Sequence, residues 1–327
     1  MLGSKRRKEI PFVKHRKKFF MISLVMAAIG IALLVTIRLN LGIDFESGSR
    51  VEVSSGDPLT AEQVQEDFAS IGDGYEPDDI TLAGDNGEIA HARFIGALDQ
   101  GEISEVQTYF IDNYGQEPNI STVSPQVGEE LAMNALISVL IAAVGIIIYV
   151  TIRFQFLYAL AAIVALFHDA FFIIVVFSAL QLEVNVPFIA AVLTIVGYSI
   201  NDTIVTFDRI RENMAKEEEV STFEHLSAVV DKSLNQTLGR SISTVLTVVF
   251  AAVSLYVFGG EAIRSFSFAL IIGLIAGTYS SLFLAAQLWV SWKWKSIQKQ
   301  QKKEAEKKQN QRYKEKAMVY AMVFSIF

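Results

Sequence analysis

Four ionisable residues lie at three positions inside long apolar stretches, where charged side chains are rare. They are Asp202 in VGYSINDTIVTFDRI, Arg240 in LNQTLGRSISTVLT, and the adjacent pair His168 and Asp169. Ionisable groups are costly to bury in a bilayer and usually mark an ion or proton path. Asp202 is therefore a candidate carboxylate that gains and loses a proton during transport. The competing interpretation is a buried polar link between helices.

Arg240 is a candidate partner of Asp202. Asp202 precedes Asp208 by six residues, which places it about 9 Å inside the end of its apolar stretch at 1.5 Å per residue. Arg240 begins the next stretch, and its long stem could bring the guanidinium level with Asp202. A nearby cation would favour the ionised carboxylate, whereas desolvation would oppose it. Alternatively, Arg240 snorkels to lipid phosphate, and the sequence leaves direct contact undecided.

His168 could relay protons, because its unperturbed pKa is near 6.5, or it could hydrogen-bond a neighbouring helix. Asp169, Asn201 and Thr203 are candidate supporting residues, the last two as polar contacts between helices. No further ligands gather near His168 and Asp169, so no metal site is predicted. The chain has no cysteine, which excludes thiolate metal sites and thiol nucleophiles. No cofactor or enzymatic activity is expected.

Six apolar stretches are long enough to position these residues in a membrane. A spanning helix needs about 20 mostly apolar residues. The chain of 327 residues is 52% hydrophobic and 19% charged, below the roughly 25% charged residues of soluble domains. These values and the six stretches predict an all-α membrane bundle of six helices. The apolar run from Phe19 to Ile37 is longer than that of a usual signal peptide and no small-x-small cleavage site follows it, so the first span is predicted to stay uncleaved. The predicted spans are 19–39, 131–152, 157–179, 187–207, 241–258 and 265–290.

The formal charge of −7 is strongly segregated along the chain. Residues 1–18 carry +7, residues 40–130 carry −18, and residues 291–327 carry +7. Lys and Arg near spans mark the cytoplasmic side, so both termini are predicted to be cytoplasmic in a bacterial cell membrane. The basic ends are assigned to topology and lipid contact, and no nucleic-acid partner is predicted. Residues 40–130 are then extracytoplasmic.

The acidic segment 40–130 has the pattern strand, helix, strand, strand, helix, strand, which predicts an α+β ferredoxin-like domain. Thr60 and Gln63 fit a capping box, and Gly115 suits a helix stop. Within 131–290, residues 208–238 are predicted to form a cytoplasmic amphipathic helix at the interface. Gly273 and Gly277 form a GxxxG pattern, typical of close helix packing. The apolar segment 317–327 is too short to span, and its role stays open.

Three segments resemble the signatures of the SecF family, whose members are subunits of the bacterial SecDF protein-export complex within a resistance–nodulation–division-like superfamily. They are VGYSINDTIVTFDRIREN (196–213), SLNQTLGRSISTVLT (233–247) and LGIDFESGS (41–49). Asp202 and Arg240 match the family's functional aspartate and arginine. Ser47 replaces the first glycine of the family's GIDFxGG segment, and Ser241 replaces a threonine. Asp44 in that segment is a candidate hinge at the membrane exit, or a turn former.

The resemblance implies a protein-export accessory subunit that uses the proton motive force, with SecD, to promote preprotein translocation through SecYEG. The implied partners are SecD, either separate or fused and in unknown stoichiometry, the SecYEG translocon, a YajC-like accessory protein and unfolded preprotein. One alternative is a proton-coupled exporter of small molecules or lipids with related architecture. Another is a scaffold that stabilises a translocon without transporting.

Overall fold

The computed structural model describes residues 10–84, 86–260 and 263–324, with side chains described up to residue 312. Six helices in these ranges are long and apolar enough to cross a membrane. Each predicted span overlaps one of them. They are α1 (Arg16–Thr36, preceded by a 3-10 turn at Val13–His15), α5 (Pro125–Arg153), α6 (Phe156–Leu180), α7 (Val186–Met214), α8 (Phe223–Phe258), and a last helix made of α9 (Arg264–Tyr279), a π-helical turn (Ser280–Ala285) and α10 (Ala286–Phe324).

The first and last helices differ in length from the predicted spans. The first ends at Thr36 rather than at residue 39, because Arg38 adopts a positive φ of 65° that cannot continue a right-handed helix. The last continues past the apolar part through Trp292, Trp294 and Ile297, which pack against the interior of the bundle, into the exposed segment 298–312. The Lys, Gln and Glu residues of this exposed segment are strong helix formers and favour the helix there. The open question about 317–327 falls on side chains outside the described set.

The prediction of a separate interfacial helix over 208–238 is wrong. α7 continues to Met214, and α8 already begins at Phe223. The apolar face of this region packs into the interior cluster of the bundle, where Leu226, Val230 and Leu234 are fully buried. An amphipathic pattern specifies an apolar face without specifying whether lipid or protein covers it, and here protein covers it.

The inserted domain, residues 48–123, contains the predicted succession of elements. They are β2 (Gly48–Ser54), α3 (Ala61–Ile71), β3 (Asp79–Ala83), β4 (Ile89–Ile95), α4 (Gln100–Tyr114) and β5 (Asn119–Val123). The strand order is β3-β4-β2-β5, with every neighbouring pair antiparallel. Phe68, Phe94 and Phe110 meet at the centre of the helix–sheet core, with ring centroids 5.0–5.2 Å apart.

The helix ends of this domain follow the capping rules in part. Thr60 accepts a hydrogen bond from the Gln63 amide, one half of the predicted box. The reciprocal box with both bonds is formed by Asp99 and Glu102 at the start of α4. Gly115 ends α4 at φ 69°, as predicted.

A short segment joins the inserted domain to the membrane helices. It contains β1 (Asn40–Leu41) and the single-turn helix α2 (Ile43–Glu46). β1 pairs in parallel with β6 (Glu183–Val184), which lies between α6 and α7. The segment thereby connects the exit of the first span to the start of the fourth.

Arg50 and Arg93, the two basic residues of the acidic segment, face one another across β2 and β4. Arg50 forms an ion pair with Glu183. Arg93 donates through Nη1 to the Asn40 side-chain oxygen at 2.7 Å and to the Leu41 carbonyl at 2.8 Å. Both arginines thus hold the domain to the segment at the ends of the spans.

Candidate functional site

Asp202 lies on α7 and faces the first turns of the apolar part of α8. Its Oδ1 accepts a hydrogen bond of 2.5 Å from the hydroxyl of Ser241. Its Oδ2 is buried and has no hydrogen-bond partner. Ser241, which stands where the family has threonine, therefore keeps the hydroxyl that the carboxylate uses. The second oxygen is left as an acceptor that can take a proton.

Arg240 shares a cleft with Asp202. Both side chains line this cleft, and no ion pair joins them in the part of the chain that is described. Arg240 is largely exposed on the isolated chain. Ser241, which follows Arg240 directly, makes the hydrogen bond to Asp202. Asn201 and Gly277 also line this cleft.

Asp169 on α6 is only 1% exposed and accepts hydrogen bonds from two other helices. Its Oδ2 receives the Ser199 hydroxyl of α7 at 2.5 Å and the Ser280 hydroxyl of the π-helical turn at 2.7 Å. Its Oδ1 lies 3.4 Å from Nδ1 of His168. Asp169 is therefore the centre of a buried polar contact between the third, fourth and sixth spans.

His168 lies at the edge of this contact. Its ring stacks on Tyr279 with centroids 6.0 Å apart, and its Nε2 is buried without a partner. The Tyr279 hydroxyl donates to the Phe19 carbonyl of α1 at 3.1 Å. His168 thus adjoins Asp169, as the sequence required, but it is on the side of the network away from the Asp202–Ser241 contact.

Thr203 joins the two carboxylate regions. Its hydroxyl bonds the Ser281 hydroxyl at 2.9 Å and donates to the Ser199 carbonyl at 3.0 Å. Ser281 follows Ser280 directly in the π-helical turn, and Thr203 follows Asp202 directly on α7. Such turns insert one extra residue into a helix and are frequent at functional sites. Asp169 and Asp202 therefore lie on opposite sides of one polar turn.

Gly273 and Gly277 bring the last span close to α7, as the GxxxG pattern predicted. A Cβ at Gly277 would lie 3.2 Å from Cβ of Ser199, and one at Gly273 would lie 2.2 Å from Cδ1 of Ile195. This close approach allows the short serine side chains to reach across to Asp169.

Asp44 lies away from this site, at the other end of α7. Its Oδ2 accepts a hydrogen bond of 2.9 Å from the Val186 amide, at the first residue of that helix. Asp202 is sixteen residues further along, or about 24 Å. The neighbouring Ser47 adopts φ 56° and ψ 141°, a conformation that suits the glycine it replaces.

Sequence reasoning missed Ser280 and Ser281 as site residues. The available signal was the GTYSS run, since consecutive hydroxyls are unusual in an otherwise apolar span. Carboxylates, hydroxyls, a guanidinium and an imidazole can together hold and exchange protons. Among the described residues, no three His, Cys, Asp or Glu side chains are close enough together to hold a metal ion.

Comparison with known proteins identifies the family. Residues 105–295 match the model of the protein export membrane protein SecD/SecF, C-terminal region, and residues 32–58 match the SecD/SecF GG motif. The protein translocase subunit SecDF of Bacillus subtilis is 54% identical over 288 residues. That match covers 88% of this chain but only 39% of the relative. The SecF subunit of Alicyclobacillus acidocaldarius is 43% identical, with 88% and 94% covered.

A solved structure gives the same result for the fold. The crystal structure of SecDF from Thermus thermophilus aligns with a TM-score of 0.79 at 31% identity. The alignment covers 88% of this chain and 39% of that one, so the chain spans well under half of the SecDF proteins it matches. The resemblance in the signature segments is confirmed: the chain belongs to the SecD/SecF family of protein-export membrane proteins.

Proposed function

We propose that this chain is a protein-export subunit that uses the proton motive force, together with a SecD partner, to promote preprotein translocation through SecYEG. The observation that carries the proposal is the Asp202 carboxyl. One oxygen is held by Ser241, the other is buried without a partner, and Arg240 faces it across a cleft. A carboxylate with a free acceptor beside a cation can bind and release a proton as the cleft opens and closes.

The surface of α7 and α8 supports a partner within the membrane. Tyr198, Asn201, Arg240 and Thr244 line or border the Asp202 cleft and are exposed on the isolated chain. Polar and charged side chains seldom face lipid, so another set of helices should cover them. A SecD bundle fits this requirement, because SecDF relatives contain a longer chain than the part matched here. YajC-like and preprotein contacts are further expectations of the same family assignment.

Two topological inferences accompany the function. The antiparallel order β3-β4-β2-β5 with two helices on one side supports a ferredoxin-like domain. The basic residues of 1–18 and 291–312 support cytoplasmic termini and an extracytoplasmic inserted domain. Labelling of single introduced cysteines with an impermeant reagent in intact cells tests both sides, because the chain has no cysteine of its own.

Replacing Asp202 with Asn tests proton coupling, because it removes the titratable group at nearly constant size. Asp208→Asn is the matched control, since it makes the same change on α7 in a residue held by Arg153 and Arg211 at the helix end. In inverted vesicles containing SecYEG and SecD, we expect Asp202→Asn to abolish the proton-dependent part of export. Asp208→Asn should retain most of it. Unchanged proton dependence in Asp202→Asn would refute the proposal.

The scaffold alternative is separated by the same experiment. It predicts that Asp202→Asn and Arg240→Gln preserve export whenever the complex assembles. Purification from membranes followed by mass spectrometry reports assembly, and it also tests the exporter alternative, which predicts no SecYEG in the purified material. Because the Asp202 cleft has a volume of about 40 Å³, well below the roughly 300–1,000 Å³ of pockets for drug-sized ligands, a proton fits it better than such a molecule.

A further inference from the structure

We infer that Asp169 is a positioning residue for the Asp202 site and acts through the consecutive hydroxyls of Ser280 and Ser281. The inference rests on the proposed role of Asp202 and adds a second carboxylate to it. Asp169 does not touch Asp202. It fixes the π-helical turn whose next residue, Ser281, hydrogen-bonds Thr203, the residue that follows Asp202 on α7.

The first step concerns the hydrogen bonds that the buried Asp169 carboxyl needs from its neighbours. At 1% exposure it cannot be hydrated, so its charge or its hydrogen-bonding capacity must be met by protein. Ser199 and Ser280 both donate to the same oxygen, Oδ2. If Asp169 took up a proton at Oδ2, that oxygen would become a donor and at least one hydroxyl would have to turn away.

The second step is the geometry of the turn. Ser280 and Ser281 are adjacent, and each also bonds the Gly277 carbonyl, at 3.2 and 2.8 Å. A displacement of Ser280 is therefore transmitted to Ser281 through the backbone and through this shared acceptor. Ser281 in turn hydrogen-bonds Thr203, the residue that follows Asp202, at 2.9 Å. The turn has two sides, one set by Asp169 and the other presented to Asp202.

The third step identifies the titratable groups around Asp169 among the described residues. His168 on its own helix contacts Asp169, and Tyr279 of α9 stacks on His168, while Asp202 and Arg240 lie beyond the turn. α1 contributes Ser23 and a backbone carbonyl through Tyr279, and α7 contributes uncharged Ser199 and Thr203. α5 contributes apolar side chains such as Ala143 and Ile147 next to Ala170.

The test is the pH dependence of proton-driven export in vesicles, measured for Ser280→Ala. This variant keeps both carboxylates and removes the Ser280 hydroxyl, which bonds Asp169 and the Gly277 carbonyl. We expect the midpoint of the pH profile to move by about half a pH unit or more, because the released turn changes the hydrogen bonds around Thr203 and the neighbouring Asp202 carboxyl. Ser280→Thr keeps a hydroxyl and should restore the original midpoint.

Ser267→Ala is the matched control. Ser267 is also fully buried in the last span, but its hydroxyl bonds only the Ile263 carbonyl of the same helix, at 2.8 Å. A merely structural loss would lower the export rate in both variants and leave both midpoints in place. That result would overturn the inference, as would identical midpoints for Ser280→Ala and the unmodified chain.

Asp202→Asn separates this inference from the proposed function. If Asp202→Asn abolishes proton dependence while Ser280→Ala leaves the midpoint unchanged, only the role of Asp169 is wrong. If Asp202→Asn retains proton dependence, the proposed function is wrong and the inference fails with it. Asp169→Asn combined with Ser280→Ala should shift the midpoint no further than Asp169→Asn alone, because both changes interrupt the same link.

Discussion

The contact between Gly273 and Ile195 sets the distance between the last span and α7, and Gly273→Ala should destabilise the bundle. The added Cβ would lie 2.2, 2.7 and 2.8 Å from Cδ1, Cγ1 and Cγ2 of Ile195. Carbon atoms pack favourably at about 3.5–4.0 Å, so the worst contact is too short by about 1.3 Å. Either Ile195 leaves its rotamer or the helices separate. Overpacking of this kind costs about 1–3 kcal/mol.

Ile195→Ala provides the second arm of a double-mutant cycle, because it removes all three clashing atoms. Alone, it should cost about 2–5 kcal/mol through the cavity that it leaves. Together with Gly273→Ala, the new methyl group fills part of that cavity. The double variant should therefore lose at least about 1 kcal/mol less than the sum of the single losses.

The free energy of unfolding in mixed micelles, titrated with SDS, is the measurement. Gly145→Ala on α5 is the control, since nothing lies within 4 Å of its added Cβ, and it should be neutral or slightly stabilising. The reasoning would be refuted if the loss of the double variant equalled the sum of the two single losses within about 0.5 kcal/mol, because residues that do not interact give additive effects.

Three further predictions concern the inserted domain and its attachment. Ser47→Gly should raise the free energy of unfolding by about 1 kcal/mol, because Ser47 adopts a strained φ of 56°. Gly48→Ser should lower the free energy of unfolding, because a Cβ at position 48 would lie 2.2 Å from the Phe94 carbonyl oxygen. The hydrogen bond to Glu105 and burial raise the pKa of Tyr75 to about 12. The stability that this phenol contributes is therefore complete below about pH 10 and is lost between about pH 10 and 12. Tyr75→Phe should remove this loss of stability, as measured by circular-dichroism melts across the same pH range. Arg50→Gln should broaden the distribution of distances between spin labels on the domain and on the α6–α7 loop, because it removes the ion pair with Glu183. The exchanged pair Arg50→Glu with Glu183→Arg should make that distribution narrow again.

The spans and the inserted domain could be predicted because their patterns are local. Twenty apolar residues or an alternation of strand and helix periods can be read without knowing the neighbours. The packing of residues 208–238 could not be predicted, because Leu226 and Val230 have the same spacing whether lipid or protein covers them. The predicted end of the first span was also wrong, because the positive φ of Arg38 is stabilised by hydrogen bonds from two distant donors, Ser178 and Gln181.

The candidate site could be predicted only residue by residue. Asp202, Arg240 and Asp169 stood out as charges in apolar sequence. Which hydroxyl reaches which carboxylate depends on the rotation of each helix about its axis, and the π-helical turn changes that rotation at Ser280. A one-residue insertion of this kind leaves hydropathy untouched, so the pairing of Asp169 with Ser280 has no signature in the sequence.

The attachment of the inserted domain also has a mechanical consequence. Three contacts attach the domain near the N-terminal end of α7. They are the β1–β6 pairing, the Arg50–Glu183 ion pair and the hydrogen bond from the Val186 amide to Asp44. A force on the domain would therefore act on α7 near Val186, about 24 Å along the helix from Asp202. A tilt of α7 by about 5° about that end would displace Asp202 by about 2 Å, enough to exchange one hydrogen-bond partner for another.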